Sequence, residues 1–206
     1  MGKRCGAHGA RQEEICSLLV RLATDGKRVV RLKGGDPSVF GRAGEELAAL
    51  RAAGVGCEVV PGVTAALAAA AWLQAPLTDR RASPAVVFIT GHEAPQAGHA
   101  PVDWAAYARL DATLCLYMGV RALGRVAEAL LTGGRAGTTP VAIVSALTWP
   151  EQRVLSATLE TAGALVAALE VAAPAVILIG EVVALERLAA GVFASQNALP
   201  FAAAGR

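Results

Sequence analysis

The stretch KRVVRLKGGDPSVFGRAGEEL, from Lys27 to Leu47, decides the fold class, because it holds a strand pattern, a turn and a helix pattern in that order. Val29 and Val30 form a short apolar run of the kind buried strands use, while Val39, Ala43, Leu47 and Leu50 recur at helical spacing. Between them lies KGGDP. Gly34 and Gly35 can take backbone angles closed to other residues, Asp36 is a favoured N-cap, and Pro37 suits a first helical position. A helix is therefore expected over residues 38–53, with its free N–H groups pointing outward from the turn. The motif alone fits a plain βα turn as well as a ligand site. It contains neither G-x-x-x-x-G-K-[ST] nor G-x-G-x-x-G, so a triphosphate is not its ligand.

Outward from this unit the same alternation continues. Helix patterns cover 12–24, 64–73, 121–131, 159–170 and 185–193, and strand patterns cover 28–32, 57–60, 85–90, 114–117, 141–144 and 176–179. Such alternation is α/β. The segment from Ala75 to Pro84, rich in proline and charge, reads as a linker, giving an N-terminal α/β domain over 1–82 and a C-terminal one over 83–206. In open α/β sheets ligands bind outside the carboxyl ends of the strands. Here those ends read GGDP, PGVTA, TGH, MG, SALT and GEV, most with a glycine or another small residue, which suggests a long cleft lined by main chain.

Composition narrows the function classes. Hydrophobic residues make up 54% of the 206, and 19 basic against 17 acidic residues leave a net charge of only +2, which gives no basic footprint for nucleic acid. No uninterrupted apolar run reaches the roughly 18 residues that a membrane span needs, and no charged-then-apolar leader opens the chain, so a cytoplasmic location is expected. Cys5, Cys16, Cys57 and Cys115 are too far apart for a zinc site and read as reduced thiols. His8, His92 and His99 are the sole imidazoles, so a metal centre or a Ser-His-Asp triad has little material.

The segments GKRCGAHGARQEEI, VVRLKGGDPSVFGRAGEE, EVVPGVTAA, PLT, ITGH, YMG, PVAIV, QRV and PAVILIGEVV, in this order over nearly the whole chain, resemble uroporphyrinogen-III C-methyltransferase, of the S-adenosylmethionine-dependent tetrapyrrole methylases. The resemblance implies two α/β domains with the cofactor in the cleft between them, a homodimer, and no metal. It further implies two methyl transfers, to C2 and C7 of uroporphyrinogen III, giving precorrin-2 for sirohaem and cobalamin. Carried over position by position, it implies cofactor contacts at Gly34, Gly35, Asp36, Val39, Thr64, Ala65, Met118, Leu147 and Ala175, and an acid/base role for Lys3. S-adenosylmethionine carries no phosphate, so main-chain groups plus one carboxylate suit it without a lysine-bearing loop. Arg4, Arg31 and Arg42 are candidates for the carboxylates of the substrate.

Members of that family also have a strand, a glycine-rich loop and a second strand before the position of Lys3. No counterpart stands in these 206 residues, so a missing N-terminal segment is expected, and with it an unpaired apolar edge near Arg28 to Leu32. After PLT the chain reads Asp79-Arg80-Arg81-Ala82 where relatives read His-Arg-Asp-Tyr, and Leu147 stands where a smaller residue is common. Three alternatives stay open: another tetrapyrrole methylase of the precorrin or haem d1 pathways, a remnant that folds without turnover, and an RNA 2′-O-methyltransferase.

Overall fold

The computed structural model describes residues 11–91 and 101–183. Contacts divide the chain into two compact units, Met1–Ala65 and Ala66–Arg206.

In the first unit, α1 (Gln12–Thr24) packs against α2 (Ala43–Ala52). The main-chain N–H of Arg11 donates to Glu14 Oε2 at 2.9 Å, closing the first turn of α1, and Ile15 and Leu19 form its buried stripe. The helix expected from residue 38 begins only at Ala43, because Phe40 (φ 52°) and Arg42 (φ 56°) are left-handed and cannot continue a right-handed helix. The segments 28–32 and 57–60 run without helix, as their patterns suggest. Among the described residues, however, neither belongs to a sheet or makes a main-chain to main-chain hydrogen bond. Val30, Leu32 and Val60 are 75%, 81% and 71% exposed. The two segments line a cavity of about 890 Å³ together with residues of α1 and α2, among them Leu19, Glu46 and Leu50.

The second unit opens with the last eight residues of α3 (Ala65–Leu73) and builds a single sheet. Its strands are β1 (Ala85–Thr90), β2 (Ala112–Tyr117), β3 (Pro140–Ser145), β4 (Arg153–Thr158) and β5 (Ala175–Ile179), in the order β1-β2-β5-β3-β4. β1 and β2 are parallel; the other three pairings are antiparallel. β2 and β3 are buried at every position, which is why they read as continuous apolar runs rather than alternations. Among the described residues the unit also holds the helices α4 (Trp104–Ala108), α5 (Leu123–Thr132) and α6 (Leu159–Ala168), and Leu123, Val126, Leu130 and Leu159 share one core with Leu114, Leu116, Ile143, Ile177 and Ile179. Each such side chain taken out of water contributes about 1.5–3 kcal/mol. β4 is absent from the sequence reading: RVLSAT mixes apolar and polar residues without a clean period, and tertiary pairing to β3 is what makes it a strand. The helix expected over 185–193 lies outside the described residues.

Candidate functional site

In the first unit, the GGDP and PGVT segments are joined into one loop cluster. Asp36 Oδ2 accepts the N–H of Gly62 at 3.0 Å, while Oδ1 accepts the N–H of Ser38 at 2.8 Å and also the Ser38 hydroxyl. These bonds favour the ionised form. The Ser38 hydroxyl, followed by the N–H groups of Gly62 and Ser38, holds the Asp36 carboxyl below its ordinary value against a small opposing effect of burial. Asp36 therefore does not cap a helix, as its place before Pro37 suggests; it closes an Asx-type turn and ties two segments together. The approach is close enough to need glycine at both contact points. Gly35 sits at φ +78°, and a Cβ on Gly62 would stand 2.5 Å from the Gly35 carbonyl oxygen. Gly34 has open space where its Cβ would be, so main chain lies bare there. Val39 is half-buried, with its N–H donating to Asp36 O at 3.3 Å. Thr64 is buried, 4% exposed, immediately before α3, and Ala65 is exposed.

In the second unit, sheet register gathers three further expected residues at one end. Tyr117 pairs with Val176 and Ser145 with Ala175, so Met118, following β2, Leu147, two residues past β3, and Ala175, the first residue of β5, share that end of the sheet. Backbone strain concentrates here: Met118 (φ 53°), Ala146 (φ 48°) and Thr148 (φ 71°) are left-handed without being glycine. Such residues persist where surrounding structure over-determines them, and they cluster at ligand sites. The surroundings are visible. Ala146 N–H donates to Pro174 O at 2.8 Å, Ser145 Oγ donates to Ala172 O at 2.7 Å, and Gly91 N–H donates to Tyr117 O at 2.8 Å. Gly91 is required there, since a Cβ on it would meet the Gly119 Cα at 2.5 Å. Met118 is 54% exposed although β2, which it follows, is buried at every position.

Lys3, Arg4 and all three histidines lie outside the described residues. Arg31 and Arg42 are engaged within the chain: Arg31 Nε lies 3.3 Å from Glu46 Oε1, and Arg42 makes two bonds of 2.6 Å to Glu45. Among the described residues no group of three or more His, Cys, Asp or Glu could hold a metal ion, and no helix is long and apolar enough to cross a membrane.

Sequence reasoning did not single out Ser38, Gly62, Tyr117 or Glu46 for a structural role in the site. Ser38 carries a local signal, since Asp-Pro-Ser suits an Asx turn. Gly62 is 26 residues from Asp36, and no local pattern links them. Tyr117 Oη accepts the N–H of Ala66 at 3.0 Å, anchoring the first turn of α3 across 51 residues. Its ring also meets Phe88 edge-on at 5.8 Å between centroids.

Residues 1–163 match the family described as Tetrapyrrole (Corrin/Porphyrin) Methylases. The chain is 48% identical over 187 residues to siroheme synthase 1 of Cronobacter sakazakii, covering 91% of this chain and 39% of that protein. It is 45% identical over 185 residues to the S-adenosyl-L-methionine-dependent uroporphyrinogen III methyltransferase of Methanosarcina barkeri, covering 90% and 72%. It thus spans well under half the length of the siroheme synthases it matches. Among solved structures it is similar to the uroporphyrin-III C-methyl transferase of Thermus thermophilus complexed with S-adenyl homocysteine, with a TM-score of 0.72 and 40% identity, covering 84% of this chain and 75% of that one. Cobalt precorrin-4 methyltransferase gives a TM-score of 0.76 at 28% identity, covering 86% and 74%. A profile match over more than three quarters of the residues, together with identities well above the level at which fold alone is shared, means that the chain belongs to the tetrapyrrole (corrin/porphyrin) methylase family.

Proposed function

We propose that the protein is an S-adenosylmethionine-dependent C-methyltransferase that acts on uroporphyrinogen III at C2 and C7 to give precorrin-2, a step towards sirohaem and cobalamin. The observation that carries this reading is the loop cluster around Asp36, in a chain 45% identical to a relative named for that cofactor and substrate. The bare main chain at Gly34 and the apolar exposure of Val63 fit a ligand with a nucleoside, an ammonium and a carboxylate but no phosphate. We assign cofactor contacts to Gly34, Gly35, Asp36, Val39, Thr64, Ala65, Met118, Leu147 and Ala175. When bound, the cofactor supplies a methyl group on a sulfonium that leaves as a neutral thioether.

The task of the residues is then mainly placement. A carbon nucleophile must be held in line with the methyl group, and alignment of this kind removes a large part of the barrier without a covalent enzyme intermediate. Lys3 is assigned to proton movement around the alkylated pyrrole, a role that needs a lysine whose pKa is lowered by burial. We further assign domains to 1–82 and 83–206, a homodimeric assembly and a cytoplasmic location. Calorimetric titration with S-adenosylhomocysteine, followed by a precorrin-2 assay with S-adenosylmethionine and uroporphyrinogen III, tests the reading. Absence of binding sinks it, and binding with a different methylated product moves the chain to another tetrapyrrole substrate.

A second reading rests on segments 28–32 and 57–60, which have no ladder partner among the described residues: the chain is a non-catalytic member of the family that folds without turnover. Binding without product in the same assay supports it.

A further inference from the structure

Three parts of the first unit converge on one buried carboxylate that the proposed chemistry does not use. Glu46, on α2, is 5% exposed. Its oxygens accept from Lys33 Nζ at 2.8 Å, from Gln12 Nε2 of α1 at 3.0 Å and from Arg31 Nε at 3.3 Å. Lys33 is the residue immediately before Gly34, and its side chain is only 10% exposed. Its stem also runs under the far limb of the turn: a Cβ on Gly41 would stand 3.1 Å from Lys33 Cε and 2.5 Å from the Pro37 carbonyl oxygen. The ion pair thus connects the entry of the GGDP turn to α2, while its aliphatic stem supports the return at Gly41.

Stability does not explain such a pair, since a buried ion pair can often be replaced by apolar residues of similar volume at no loss. Direction does. An ammonium bonded to one carboxylate oxygen fixes where the chain enters the turn, whereas an apolar contact tolerates sliding. Gly34 and Gly35 have no side chains to anchor them, and α2 does not begin until Ala43. We infer that the Lys33–Glu46 pair is a positioning device for the GGDP turn, holding Gly34 and Gly35 in the orientation that presents their main-chain groups to the ligand. The identity of that ligand rests on the proposed function; the rigidity of the turn does not.

The test uses the full 206-residue chain carrying Lys33→Met with Glu46→Gln, which removes both charges while a glutamine still meets Gln12 and Arg31. S-adenosylhomocysteine affinity should fall about tenfold or more, as expected when the support of a binding group is loosened. Backbone order parameters at Gly34, Gly35 and Ser38 should drop from about 0.85 towards 0.6, with those of α1 and α2 unchanged. Lys33→Arg, which keeps the charge, should restore both. Unchanged affinity and unchanged order in the double variant overturn the inference and leave the pair a packing feature. If the parent chain does not bind S-adenosylhomocysteine, the cofactor assignment fails and the order parameters alone decide the positioning role. If the double variant does not fold, Lys33→Gln, which leaves Glu46 bonded to Gln12 and Arg31, is judged by the same readouts.

Discussion

Val29-Val30-Arg31-Leu32 in the first unit and Val176-Ile177-Leu178-Ile179 in the second both read as strands, and both are rich in β-branched or large apolar residues. Their fates differ. The second segment lies between β2 and β3, bonded on both edges, and its residues are at most 3% exposed. In the first, Val30 and Leu32 are 75% and 81% exposed, and no ladder forms on either edge among the described residues. An apolar, β-branched sequence makes extended chain; burial requires a neighbour on each side. The same contrast separates the two loop regions. The turn around Asp36 is held by hydrogen bonds within its own unit, while Met118 and Leu147 are placed by the sheet beneath them.

The largest expected effect concerns cysteine chemistry. Burial pushes the Cys115 thiol, in the middle of β2, up to about 12, whereas Cys57, on an unpaired segment, is exposed. At pH 8 the Cys115 thiolate is then on the order of a thousandfold rarer than that of an ordinary cysteine with a pKa of about 8.5. Labelling the folded protein with a thiol reagent and mapping the sites should give fast reaction at Cys57 and almost none at Cys115. Comparable rates would mean that the two regions do not differ in protection.

Truncation of side chains sharpens the comparison in energy. Ile177→Ala, in the central strand, should cost about 2–5 kcal/mol in denaturant unfolding, while Leu32→Ala should stay within about 0.5 kcal/mol. A large loss at Leu32 would show that this face is covered in solution.

Glu46 is the point where the first unit does depend on a buried contact. Burial raises its pKa, but the hydrogen bonds from Lys33 and Gln12 and the charges of Lys33 and Arg31 outweigh that, leaving it below the ordinary glutamate value. A depressed carboxyl contributes stability above its unfolded pKa of about 4.3 and loses that contribution as the pH falls through the folded value. Glu46→Gln should therefore cost about 1–3 kcal/mol at pH 7, with the difference from the parent shrinking below pH of about 4.3. A difference that stays constant down to acid pH would refute the ionic role.

Asp36→Ala should have the smallest effect on melting, because the carboxylate caps no helix and its partners face solvent. Its effect should appear in S-adenosylhomocysteine affinity, as the tie between GGDP and PGVT is lost. A melting change larger than the affinity change would make Asp36 a structural residue first.

Periodicity and composition suffice for the α/β class, for α1 from Gln12 to Thr24 and for β1 from Ala85 to Thr90, because these elements are specified by residues adjacent along the chain. The family, too, is legible in short motifs such as KGGDPSVFGR. Other features were decided only in three dimensions. The late start of α2 follows from left-handed turns at Phe40 and Arg42 that helical spacing does not reveal. The tie from Asp36 to Gly62 and the convergence of Gln12, Arg31 and Lys33 on Glu46 join residues up to 34 positions apart. Strand order and the gathering of Met118, Leu147 and Ala175 at one sheet end depend on which edges found partners. Local sequence sets what a segment prefers to be, since that preference is paid in neighbouring dihedrals; register and pairing depend on hydrogen bonds and burial supplied from elsewhere in the chain.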